Sequence, residues 1–137
     1  MAGNPGLPVD SRLLLDLPFT ERELVSVRES VAAHASQAGL PGDRVDVVVL
    51  VAYELATNAV RHGGGQGRIR LWQTDGTLVC EVTDDGPGLP AGFGIPVRPE
   101  PGAPGGRGLW LVHSFAEELT AAPGETGGAR LTARIRR

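Results

Sequence analysis

The spacing of apolar residues changes abruptly near the middle of this chain, and this change constrains the fold more than any other feature. Between positions 43 and 62 the apolar residues recur at intervals of three and four, which is the period of an amphipathic helix. These residues are Val45, Val48, Val49, Ala52, Leu55, Ala56 and Ala59. After three successive glycines the period falls to two, as in a strand with one buried face. The change in period predicts a helix layer packed against a sheet.

The other periodic segments complete a two-layer sandwich. We expect strands over 12–17, 68–73, 78–83 and 129–135, and helices over about 21–38, over 43–62 and from Arg107 onward. The third helix is predicted to carry Leu109, Val112, Ala116 and Leu119 on one face. A capping box at Thr20 and Glu23 begins the first helix, and Asp75-Gly76 turns the hairpin between the two middle strands. The prediction is an α+β fold, with helices on one face of a mixed, mostly antiparallel sheet.

The length of 137 residues suits a single domain, which we expect over 12–137 after a flexible tail at 1–11. The net charge of −3 supplies no excess of basic groups for a nucleic-acid backbone. No apolar run approaches the length of a membrane span, and the N-terminus does not resemble a secretory signal. The lone cysteine, Cys80, excludes an internal disulfide, so we expect a reducing cytoplasm as the location.

The second predicted helix carries a possible catalytic pair. Glu54 and Asn58 are four residues apart, so their side chains share one face of the helix. A carboxylate there could accept the proton of an attacking hydroxyl, and an amide oxygen is a hard ligand of the kind that Mg²⁺ prefers. A solvated polar stripe on a surface helix is the alternative interpretation.

Two glycine-containing segments follow the hairpin. Asp84 comes directly after a strand, and the alternation points its side chain towards the core, where the amino group of an adenine would satisfy it. Gly86 and Gly88 leave space for a flat base against the backbone, although a simple turn explains the same residues. The stretch 105–108 opens the third helix with bare amides that suit a phosphate.

Taken together, the three segments resemble the N, G1 and G2 boxes of the GHKL (Bergerat-fold) ATPases. The matching residues are Glu54, Asn58 and Ala59, then Asp84, Gly86 and Gly88, and then Gly106, Gly108 and Leu109. Within that superfamily the chain looks most like the small anti-sigma-factor serine/threonine kinases, from about position 13 to 135.

The resemblance implies Mg²⁺–ATP as the bound nucleotide. Asp84 would hold adenine and Asn58 the Mg²⁺ ion, and residues 89–105 would form the lid. The phosphates would lie on Gly106, Arg107 and Gly108, with Leu109 closing the motif. Glu54 would be the general base that takes the proton from the serine or threonine that is phosphorylated.

The same resemblance implies an anti-anti-sigma (STAS-type) protein as the phosphorylated partner and a sigma factor as a second protein to be sequestered. Neither nucleic acid nor membrane is an expected partner. Two alternatives stay open at this point. One is an ATP-binding switch with little or no catalysis, and the other is an ATPase subunit that forms a homodimer through its N-terminal segment.

Overall fold

A computed structural model of the protein describes residues 11–88, 107–124 and 127–137. The strands are β1 (Arg12–Thr20), β2 (Gln66–Thr74), β3 (Thr77–Thr83), β4 (Glu118–Pro123) and β5 (Ala129–Arg136). The helices are α1 (Leu24–Gln37), α2 (Gly42–His62) and α3 (Arg107–Phe115), and a short 3₁₀ turn over Glu21–Glu23 precedes α1. The predicted tail at 1–11 lies outside the described residues except for Ser11, and the predicted lid at 89–105 lies wholly outside them.

The five strands form one antiparallel sheet in the order β1-β2-β3-β5-β4. The hairpin between β2 and β3 turns at Asp75-Gly76, where Gly76 has a φ of +82° that glycine adopts without strain. The middle of the sheet is consequently built from β2, β3 and β5, and β1 and β4 are its edges. The predicted α+β sandwich is confirmed.

The helices cover one face of this sheet, and α2 is central among them. It packs against α1 and α3 on its flanks and against β2, β3 and β5 beneath it. Its buried residues are Val48, Val51, Ala52, Leu55, Ala56 and Ala59, close to the apolar stripe expected from the spacing. They meet the helix-facing side chains of the sheet, which include Ile69, Leu71, Leu78, Cys80, Val82, Leu131, Ala133 and Ile135. Burial of this stripe stabilises α2, because four of the five residues at 47–51 are valines, whose propensity alone disfavours a helix.

Two of the differences from the predicted boundaries have a cause in the sheet. β1 continues through Pro18 to Thr20, because an edge strand tolerates a proline whose missing N–H is not needed by a neighbour. The third helix ends at Phe115, and Leu119 belongs to β4, where it pairs with Ala133. The expected helical position of Leu119 is therefore wrong, because pairing with β5 outweighs the local helical spacing.

The predicted capping box is present at the end of β1. The backbone N–H and the hydroxyl of Thr20 both donate to Oε1 of Glu23, at 2.9 Å each. This pairing turns the chain from the edge strand into the helix layer. Within 11–88, 107–124 and 127–137, no helix is both long enough and apolar enough to cross a lipid bilayer.

Candidate functional site

Glu54 and Asn58 lie one turn apart on α2, and both are half-buried. The Glu54 carboxylate reaches the first turn of α3, where a β-carbon added to Gly108 would lie 2.6 Å from Oε1. Gly108 therefore leaves the space that this carboxylate occupies. The first amides of α3 have no partners within the helix and carry the positive end of its dipole, so the Glu54 carboxylate lies beside a position suited to phosphate oxygens.

Asp84 follows β3 directly, and backbone groups from two segments hold its side chain. Oδ1 accepts hydrogen bonds from the N–H of Gly86 at 2.9 Å and from the N–H of Ala129 at 3.2 Å. The N–H of Asp84 in turn donates to the carbonyl of Ala129 at 3.0 Å. The expected cost of an inward-facing carboxylate is thus offset at one oxygen, and within the described residues no donor reaches Oδ2.

Glycines surround Asp84 on the side that faces the helix layer. A β-carbon on Gly63, the residue that ends α2, would lie 2.5 Å from Oδ2 of Asp84. A β-carbon on Gly86 would lie 2.5 Å from the carbonyl carbon of Gly63. The end of α2 and the loop after β3 are therefore in backbone contact. This contact ties Asp84 to the helix that carries Glu54 and Asn58.

Asp84 also borders open space. A groove of about 470 Å³ runs along the ends of β1, β2 and β3, where Thr20, Gln66 and Thr83 line it together with Asp84. Among the described residues, its lining includes none from α2 or α3. Asp84 is half-buried as a whole residue.

The structure brings together some of the site residues predicted from the sequence. Glu54 lies against Gly108, and Asp84 bonds to Gly86. Gly88 takes a φ of +90° near the carbonyl of Gly128. Arg107 and Leu109 belong to the first turn of α3, whereas Gly106 lies outside the described residues.

The turn before β5 also contributes to the site, although the sequence did not predict this. Ala129 supplies two of the backbone groups that bond to Asp84. Gly128 lies directly against the same residue. The signal was the pair Gly127-Gly128 just before an alternating strand, since two adjacent glycines indicate unusual backbone conformations.

Comparison with known proteins decides the family. The model of the histidine kinase-like ATPase domain matches residues 17–135 of the chain. The chain belongs to this family. Membership confirms the expected GHKL relationship and supports ATP binding, with kinase or ATPase activity in the general sense.

One curated relative of this histidine kinase-like ATPase domain is the signal transduction histidine-protein kinase AfsQ2 of Streptomyces coelicolor. The two are 31% identical over 117 residues, which cover 76% of this chain and 21% of that protein. The chain therefore spans about a fifth of the length of this relative.

Domains of this family bind ATP, usually with Mg²⁺. The residues present fit such an ion. Mg²⁺ beside a nucleotide is held mainly by phosphates and waters and needs only one or two protein oxygens, and the amide oxygen of Asn58 is of the kind that Mg²⁺ prefers. Among the described residues no group of three or more His, Cys, Asp or Glu side chains could hold a metal ion unaided.

Proposed function

We propose that this domain is a Mg²⁺- and ATP-dependent protein kinase that phosphorylates a serine or threonine of an anti-anti-sigma partner of the STAS type. The observation that carries the proposal is the position of Glu54, whose carboxylate lies against Gly108 in the first turn of α3. Nucleotide binding alone needs Asp84 and the glycines. A carboxylate beside the phosphate position is what a transfer reaction requires in addition.

In this proposal each residue has one task. Asp84 accepts from the amino group of adenine, and the amides of Arg107 and Gly108 at the start of α3 bind phosphate oxygens. Asn58 would hold the Mg²⁺ ion, which supplies neutralisation of phosphate charge when bound. Glu54 takes the proton of the attacking hydroxyl while the oxygen of that hydroxyl forms a bond to the γ-phosphorus. The bond between that phosphorus and the β–γ bridging oxygen breaks, and ADP leaves.

The partners belong to the same proposal. We place the encounter with the STAS-type protein in the cytoplasm, where a lone thiol such as Cys80 stays reduced. Sequestration of a sigma factor and formation of a homodimer are further activities proposed for the domain. Both follow from the likeness to anti-sigma kinases and not from a surface of the molecule.

A second candidate is phosphorylation of a histidine on a separate protein segment. The name of the relative from Streptomyces coelicolor, a histidine-protein kinase, favours this alternative. The two reactions use the same nucleotide site and differ in the acceptor. The chemical stability of the product separates them, since phosphohistidine is hydrolysed in acid, whereas phosphoserine and phosphothreonine survive acid.

The experiment incubates the protein and a STAS-type partner with ATP labelled at the γ-phosphate. We expect acid-stable label on the partner, and we expect Glu54→Gln to lower the transfer rate by about 10²- to 10⁴-fold while ATP affinity is retained. Glu29→Gln, which changes an exposed carboxylate of α1, is the matched control and should transfer at the wild-type rate.

Three other outcomes would contradict parts of this proposal. A transferred label that is lost in acid would indicate phosphorylation of a histidine instead. ATP binding without transfer to either acceptor would establish the switch. Full transfer by Glu54→Gln would remove Glu54 from the base role.

A further inference from the structure

The turn before β5 contacts Asp84 at Oδ1, whereas Gly63 lies against Oδ2. Ala129 and Asp84 form two hydrogen bonds. The N–H of Asp84 donates to the carbonyl oxygen of Ala129 at 3.0 Å. The N–H of Ala129 donates to Oδ1 of the Asp84 side chain at 3.2 Å. Together with the N–H of Gly86, this donor occupies Oδ1, and among the described residues no donor reaches Oδ2.

Gly128 makes this approach sterically possible. A β-carbon at this position would overlap the carbonyl oxygen of Asp84, and it would lie 2.6 Å from the carbonyl carbon and 2.9 Å from Oδ1. The neighbouring Gly127 differs in this respect, since a β-carbon there would meet nothing within 4 Å. Both glycines have positive φ, at +71° for Gly128 and +95° for Gly127. The turn thus contains one glycine needed for its conformation alone and one needed also for contact with Asp84.

We propose that Gly128 is a positioning residue for base recognition, because it lets Ala129 bind Oδ1 so that Oδ2 is presented to the 6-amino group of a purine. This proposal rests on the proposed function of Asp84 as the adenine acceptor. It adds that the selectivity for a 6-amino purine depends on a turn that is 45 residues away in the sequence and does not touch the base. A carboxylate free to rotate would offer the same charge but no fixed direction.

The test compares binding of ATP with binding of inosine triphosphate, which has an oxygen in place of the 6-amino group. An acceptor aimed at that group rejects inosine triphosphate, because two acceptors would face each other. We expect the wild type to prefer ATP by about tenfold or more, and Gly128→Ala to lose most of that preference. Gly127→Ala is the matched control, since it places alanine at positive φ in the same turn without touching Asp84. It should keep the wild-type preference.

A second variant covers the case in which Gly128→Ala does not fold. Ala129→Pro removes the N–H that donates to Oδ1, at the first residue of β5, where a strand accepts proline. It too should bind ATP and inosine triphosphate with similar affinity. Thermal unfolding of every variant shows which of them are folded.

Three results would contradict the proposal or the function on which it rests. Equal loss of preference in Gly127→Ala and Gly128→Ala would overturn it, because the effect would then belong to the turn conformation. Full preference in Gly128→Ala and Ala129→Pro would overturn it as well. A wild type that binds both nucleotides equally would instead reject Asp84 as the adenine acceptor, and with it the proposed function on which the inference rests.

Discussion

Oε1 of Glu54, in the middle of α2, lies 2.6 Å from the point where a β-carbon on Gly108 of α3 would stand. The two residues are far apart in sequence and belong to different helices, so their contact depends on the packing of α3 against α2. A glycine in the first turn of a helix has no conformational need to be glycine when its φ is negative. The absence of a side chain at Gly108 leaves space for the Glu54 carboxylate.

Gly108→Ala should therefore impair transfer more than binding. The added methyl group occupies the place of Oε1, so the Glu54 side chain must move away from the start of α3. We expect the rate of phosphoryl transfer to fall about tenfold or more, which corresponds to about 1.4 kcal/mol or more in the barrier, with a smaller change in ATP affinity. Single-turnover transfer and equilibrium titration with ATP measure the two effects.

Gly42→Ala is the control for this variant. It also adds a methyl group in the first turn of a helix, but nothing lies within 4 Å of the new atom. Both substitutions replace glycine by a better helix former, so lower helix stability cannot explain a slower phosphoryl transfer. An unchanged transfer rate in Gly108→Ala would show that Glu54 does not need this space.

Gly63→Ala should weaken nucleotide binding. Its φ of −109° is allowed for alanine, so the substitution introduces no backbone strain, yet the new β-carbon would lie 2.5 Å from Oδ2 of Asp84. We expect the affinity for ATP to fall about tenfold, as for the loss of one hydrogen bond to a charged group. Isothermal titration calorimetry measures this directly.

Gly65→Ala supplies the comparison for Gly63→Ala. It places alanine at a φ of +90° in open space, so it costs more conformational energy and leaves Asp84 untouched. Gly65→Ala should have a lower free energy of unfolding than Gly63→Ala but a higher affinity for ATP. If Gly63→Ala bound ATP more tightly, its contact with Asp84 would not be the cause of weaker binding.

The buried thiol of Cys80 predicts a loss of stability in alkali. Burial raises the pKa of Cys80 from 9.0 to about 12, and the adjacent charge of Glu81 adds to the rise. Above pH 9.0 the unfolded chain releases this proton while the folded chain keeps it, so the free energy of unfolding falls as the pH rises towards 12.

Urea unfolding at a series of pH values measures this effect against Cys80→Ala. The alanine variant has no thiol proton to lose, so its free energy of unfolding should lack the pH dependence that this proton adds. That dependence is at most about 1.4 kcal/mol per pH unit. Its stability curve should therefore be flatter than that of the wild type between pH 9.0 and 12. Parallel curves would mean that the thiol ionises equally in both states.

The fold was largely accessible from the sequence because apolar spacing reports which side of each element is buried. The stripe on α2 and the alternation in β2, β3 and β5 sufficed for the layers and for most of their boundaries. β4 was not accessible. Residues 116–119 continue the helical spacing of α3, and only pairing with β5 makes them leave the helix.

The candidate site was accessible only in part. Glu54 and Asn58 share a helix face by spacing alone, and the three motifs together indicated the family. The contacts of Asp84 with Gly63 and Gly128 could not be inferred, because each joins residues that are distant in sequence. Such contacts depend on how the end of α2 and the turn before β5 meet the loop after β3.

The most direct test of the central claim is an ATP titration of the wild type and Asp84→Asn. Asparagine keeps the shape of the side chain and an oxygen for the amides of Gly86 and Ala129, but it turns an NH₂ group towards the base, where a second donor cannot bond. We expect saturable binding by the wild type below millimolar ATP and an affinity about ten- to a hundredfold weaker in Asp84→Asn. Equal affinities, or no binding by the wild type at millimolar ATP, would contradict recognition of adenine by Asp84.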